Sequence, residues 1–268
     1  MKLKPVAARQ GAQWVRDGFR VFFRRPLAYT GLFAAFLFGA LVLLLVPYVG
    51  ALLLMMSLPL LTLGFMLATR RTLEGGWPAP NALVAPLAGE RKRRLALIRL
   101  GLAYALGTLL VMLATDWIDG GKFEALQTAL ADRDTSREQV AVLLADPQLQ
   151  AGMLLRLAFA GALSIPFWHA PALIHWGGQA VAQALFSSTL ACWRTKRALF
   201  VYALCWALVV GAFGFALNLV FMLIGQPQFI GIAALPAALM FTTVFYASLY
   251  FTFRDSFELE DSRATPPA

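Results

Sequence analysis

"ALFVYALCWALVVGAFGFALNLVFMLIGQPQFIGIAALPAALMFTTVFYASLYFTF", residues 198–253, runs for 56 residues without one Asp, Glu, Lys or Arg. A helix rises about 1.5 Å per residue, and the hydrocarbon core of a bilayer is about 30 Å thick. The run is therefore long enough for two crossings, and "GQPQ" at 225–228 supplies the turn between them. A second charge-free run, Leu27 to Thr69, spans 43 residues and again fits a pair, with Pro47 at the turn. A soluble core has no use for such lengths.

Working outward from these two pairs, composition points the same way. The chain is 60% apolar and 14% charged, against roughly 45–50% and 25% in soluble domains. Length and punctuation place six spans, at about 27–46, 48–69, 95–115, 153–174, 199–224 and 229–253. The fourth is the weakest, interrupted by Arg156, Pro166, His169 and Pro171. The expected fold is an all-α, polytopic transmembrane helix bundle forming one membrane domain over 1–268. No cleavable leader is evident, because the first apolar run starts behind seven basic residues and continues into a second span.

Lys and Arg set the expected orientation. Seven stand before the first span, six in the loop between the second and third, three just before the fifth, and Arg254 and Arg263 follow the sixth. An even number of spans puts all four groups on one side, so both termini, including the 254–268 tail, are expected in the cytoplasm of a bacterial cell, the protein sitting in its inner membrane. The opposite loop, 116–152, holds three basic residues against seven acids. Its stretches "KFEALQTALA" and "SREQVAVLLA" read as two short helices on the outer face, the second opened by a Ser136–Gln139 capping box. Asp146-Pro147 caps and starts the helix that follows.

Two segments read as helices lying in the cytoplasmic headgroup plane. Over 10–25, Trp14, Val15, Gly18, Phe19, Phe22 and Phe23 share one face and Arg16, Arg20 and Arg24 the other. Over 178–194, a polar stripe opposes Val181, Leu185, Phe186 and Trp193, with a basic cluster after it. Contacts with the lipid surface are therefore expected from Trp14, Arg16, Arg20, Arg24, Arg25, Arg194, Lys196 and Arg197, with anionic phospholipid as the partner. Each helix leads into a span, and 24–40 laid on 196–212 matches at six of 17 positions. The shared small residues Gly31, Ala35, Gly39 and Ala203, Ala207, Gly211 suggest a parallel internal repeat with close helix packing. The alternative is that Gly and Ala are simply common here.

None of the six spans contains Asp or Glu, the residues that usually mark proton relays or catalytic sites within a membrane. Arg99 and Arg156 are each read as snorkelling to the nearer headgroups. No catalytic group, metal site or cofactor is expected, and the positive charge is accounted for by threading rather than nucleic acid. His169 and His175 are six residues apart, about 120° around a straight helix, whereas zinc pairs on helices sit three or four apart. With Trp168 and Trp176 they read as anchors at headgroup depth. A polar ligand contact by His169, His175 or Asn218 stays open.

The opening "MKLKPVAARQGAQWVRDGFRVFFRRPLA" and the segment "FWHAPALIHWGGQAVAQALFSSTLACWRTKRALFVY" resemble a family of uncharacterised betaproteobacterial inner-membrane proteins known by a locus-tag name. A more distant similarity is to membrane domains attached to some glycerophosphodiesterases. The resemblance implies an integral inner-membrane protein and supplies no activity. Taken together, the residues favour a non-enzymatic protein that organises membrane partners or lipids. A permease or lipid-handling transporter for a neutral or amphipathic substrate is the alternative, and an intramembrane enzyme has no residue to support it. Oligomeric state is not legible.

Overall fold

The computed structural model describes residues 2–132 and 135–258. Arg133 and the tail beyond 258, with Arg263, lie outside the described residues. Among those described, the fold is all-α. Its eleven α-helices are α1 (Gln10–Arg24), α2 (Pro26–Leu44), α3 (Val49–Leu73), α4 (Arg91–Asp119), α5 (Lys122–Ala131), α6 (Arg137–Ala145), α7 (Pro147–Phe167), α8 (Ala170–Gly177), α9 (Val181–Arg194), α10 (Lys196–Leu223) and α11 (Ile230–Ser256). Six membrane crossings follow: α2, α3, α4, α7 continued by α8, α10 and α11. The protein is a polytopic transmembrane bundle.

Several helices outrun the apolar stretches that announce them. α4 begins at Arg91 and ends at Asp119, four residues beyond the 95–115 span at each end. Backbone hydrogen bonding continues past the apolar stretch until Gly120 turns left-handed, at φ 63°. α7 starts at Pro147 because the Asp146 side chain accepts from the N–H groups of Gln148 and Leu149, satisfying two free donors. Its other end breaks at Trp168 and His169. Pro171 has no N–H to offer Phe167, and its ring crowds that carbonyl, so the chain restarts as the short α8. Ser136 and Gln139 form a reciprocal capping box at the start of α6.

Both ends of the described chain come to one end of the bundle. Leu3 bridges Phe257, the Lys4 N–H donates to the Ser256 carbonyl at 3.0 Å, and the Glu258 N–H donates to that of Lys2 at 2.9 Å. The loop joining α3 to α4 reaches the same end, where Arg25 stacks over Trp77 at 4.6 Å. This end is called the terminal face below.

The largest departure from the sequence reading is α1. Most of its apolar face is wedged against α10 and α11. Trp14, Val15, Gly18 and Phe22 are buried, and of the large residues on that face Phe23 stays well exposed. A Cβ placed on Gly11 would lie 2.1 Å from the Ala198 carbonyl oxygen, and one on Gly18 would lie 2.6 Å from Ser248 Cβ. The two glycines let the backbone of α1 approach closer than any side chain would permit. Trp14, expected at the lipid surface, is a core residue whose Nε1 donates to Asp255 at 3.0 Å, beside Gln10 Nε2 at 2.6 Å.

The small-residue stripes also behave differently from expectation. Nothing lies within 4 Å of a Cβ placed on Gly31, Gly39 or Gly211, so they do not seat helix crossings within this chain. Each half of the expected repeat does join an amphipathic helix to a span through one residue, Arg25 or Thr195. Their partners differ, however: α9 packs chiefly on α7 and α8 and only slightly on α10, whereas α1 packs on α10 and α11.

Candidate functional site

At the end opposite the terminal face, α4, α5 and α7 are tied by ion pairs. Arg156 does not snorkel freely. Its Nη2 donates at 2.6 Å to both Asp116 and Asp119, and its guanidinium lies 4.1 Å from the centre of the Phe123 ring. Asp119 is fully buried and also accepts from the Gly121 N–H. Lys122 donates to Asp146 at 2.5 Å, and that hydrogen bond holds the Asp146 carboxyl below its ordinary value, with the capped N–H groups of α7 assisting. These contacts use up the charges they involve. They form a structural clasp between α4, α5 and the start of α7.

The histidines and Asn218 are not brought together. His169 is wholly buried, with Phe253 and Phe257 ring centres 6.0 and 5.5 Å away and no hydrogen-bond partner on either ring nitrogen. Its backbone N–H is held by Ser188 Oγ at 3.0 Å. Trp168 is half-buried, donating to Thr252 Oγ1 at 3.2 Å. His169 is therefore a core residue and not a lipid-facing anchor, and the break in α7 turns Trp168 partly inward beside it. His175 is half-buried against the edge of Trp176. Asn218 is exposed on the half of α10 farther from the terminal face. Among the described residues no three His, Cys, Asp or Glu side chains gather in a way that could hold a metal ion.

The feature the sequence reading missed is a cleft. α10 packs chiefly on α1, leaving a gap toward α7 that α9 closes at the terminal face and α11 backs. The hollow holds about 930 Å³, at the large end of the usual range for ligand sites. Its walls are mostly carbon, with Ile165, Trp168, Leu199, Trp206, Phe241 and Phe245 among them. It opens sideways, past Phe200 and Val210 on the span itself, and both of these are exposed. A smaller hollow of about 290 Å³ shares Ser164, Trp168 and Phe245 with it and reaches toward Tyr104 and Thr62. Neither His169, His175 nor Asn218 lines either space.

At the terminal-face end of the cleft stands Lys196, its ammonium 4.4 Å above the Trp193 ring. Both side chains are exposed, as are Arg194 and Arg197. None of the described carboxylates forms an ion pair with these three cations. Around the same face Arg16, Arg20 and Arg24 project from the free side of α1, Arg20 pairing with Asp17 at 2.7 Å, and Arg25 is partly covered by Trp77. The arrangement is an apolar slot in the side of a membrane bundle, entered beneath a collar of positive charge.

No family model matches the chain, and no solved structure matches it. The chain is similar, at 29% identity over 270 residues, to a protein of Burkholderia thailandensis that carries a locus-tag name and is described as a probable inner membrane protein. The match covers 98% of this chain and 97% of that one, so the likeness extends over every span rather than over one motif.

Proposed function

We propose that this is a non-enzymatic inner-membrane protein that gathers anionic phospholipid, its terminal face lying in the cytoplasm. The observation that carries the reading is the state of α1. Its apolar face is spent on α10 and α11, yet Arg16, Arg20 and Arg24 still line its free side. A cationic face on a docked helix is not needed to keep a tail soluble. Basic residues near an anionic leaflet each contribute on the order of 1 kcal/mol of attraction, and several act together here. Membrane-protein partners could share this surface, and nucleic acid is not expected at it.

The test is lipid composition around the intact protein. Discs excised with a styrene–maleic acid polymer from vesicles of phosphatidylglycerol and phosphatidylcholine should be enriched in phosphatidylglycerol relative to the vesicles. Arg16→Gln/Arg20→Gln/Arg24→Gln should remove much of that enrichment. Wild-type discs with the bulk composition would overturn the proposal. A second reading, lipid handling, is favoured by one observation: the sideways-opening cleft is large enough for part of an amphipathic molecule.

A further inference from the structure

We infer that the lateral cleft seats one acyl chain of an anionic phospholipid taken from the leaflet beside the terminal face, with Lys196 on its phosphate. The inference rests on the lipid-interacting reading above and adds a specific site to it.

Depth is the first argument. Lys196 opens α10 and Val210, fourteen residues on, lines the far part of the cleft. At 1.5 Å per residue the slot therefore reaches about 21 Å along the helix. Half of a bilayer, headgroups included, measures about 20–22 Å. The cleft runs from headgroup depth to the midplane, the length of one leaflet, and does not cross the membrane. A lipid entering from the side would place its chain along Leu199, Ala203 and Trp206 without leaving hydrocarbon.

Charge is the second. The mouth offers an exposed ammonium with no carboxylate partner among the described residues, steadied over the Trp193 face, with Arg194 and Arg197 beside it. Trp at headgroup depth is a common interfacial anchor, so Trp193 holds Lys196 where a lipid phosphate lies. Zwitterionic lipid offers the same phosphate with its own cation attached and gains less. The third argument is the wall itself. Trp168 and Tyr202 meet edge to face at 6.2 Å, and the Tyr202 hydroxyl is bonded to Ser248 Oγ at 2.6 Å. The slot is backed by side chains fixed on three helices, α7, α10 and α11, so its shape does not depend on the lipid.

The experiment is native mass spectrometry of the full chain exchanged into detergent with defined lipid. One phosphatidylglycerol should survive activation that strips phosphatidylcholine. Lys196→Gln should lower its retention by about fivefold, the effect of one basic residue at an anionic headgroup. Ala203→Trp, which fills the slot, should abolish the adduct, and Leu208→Trp, elsewhere on α10, should not. Val210→Trp is a second obstruction at an exposed position, for use if Ala203→Trp does not fold. Retention unchanged by both obstructions, or a wild-type adduct no stronger for phosphatidylglycerol than for phosphatidylcholine, overturns the inference. Unchanged retention in Lys196→Gln overturns the headgroup assignment. Failure of the broader reading looks different: discs lose their enrichment while the single retained lipid persists.

Discussion

At the scale of single residues, polar atoms are expensive in this molecule, and the ion pairs among the described residues sit at its ends. Asp255 accepts from Gln10 and Trp14, holding the start of α1 to the end of α11. Asp119 and Asp116 both hold Arg156, but Asp119 is 0% exposed and Asp116 47% exposed. The difference decides what each is worth. Removing one partner of a buried pair typically costs about 3–5 kcal/mol because the other charge is left without compensation, whereas exposed pairs contribute about 0–1 kcal/mol. Asp119→Ala should therefore lower thermal stability in detergent markedly, toward the lower end of that range because Asp116 remains. Asp116→Ala should shift it little. Equal shifts would show that the clasp works as one screened network. Arg156 was legible as an isolated charge inside a weak span, and its partners were not. Two acids just past Thr115 read as ordinary loop charge until α4 is seen to continue through them to Asp119.

At the scale of elements, α1 shows how far an amphipathic pattern goes. The pattern says that a helix has one face to bury. It is silent on whether lipid or protein covers that face, since Trp, Val and Phe suit both. What distinguishes the cases is Gly11 and Gly18 on the buried side, where a close backbone approach leaves room for no Cβ. The same reasoning, applied to Gly31 and Gly211, named residues as packing sites that have open space around them. Spacing of small residues thus marks where helices could cross, and only the fold tells where they do. A sharp contrast follows. Gly11→Ala and Gly18→Ala should each destabilise the protein, by about 1–3 kcal/mol as for other overpacked sites. Gly31→Ala should be neutral or stabilising by up to about 1 kcal/mol, since glycine is a poor helix former. Unfolding in one detergent under identical conditions measures all three. A Gly18→Ala variant as stable as wild type would mean that α1 rests on α11 loosely enough to yield.

At the scale of the whole molecule, the six crossings were legible because hydrocarbon thickness imposes a length on every span, and charge-free runs meet or break it. The cleft was not legible. Lipid-facing and core-facing side chains are equally apolar in such spans, so nothing along Leu199–Val210 announces which of them line a hollow. The break after α7 was visible as prolines, but its consequence, Trp168 turned inward to wall both hollows, depends on α9 and α11. Threading is a different matter, because it rests on the count of charges rather than on contacts. The Leu3–Phe257 bridge puts the two ends of the described chain on one face, and Arg25 over Trp77 adds the α3–α4 loop to it. That face exposes Arg70, Arg71, Arg91, Lys92 and Arg94 besides the collar, while the opposite loop holds more acids than bases. Basic residues in short loops beside spans resist translocation, and acids matter little. Alkaline phosphatase, active only after export, should therefore be active when fused at Ser136 and inactive when fused at Asn81. Because Asn81 shares its face with both ends of the described chain, an active Asn81 fusion would turn the whole bundle over. The basic collar and the mouth of the cleft would then lie against the outer leaflet.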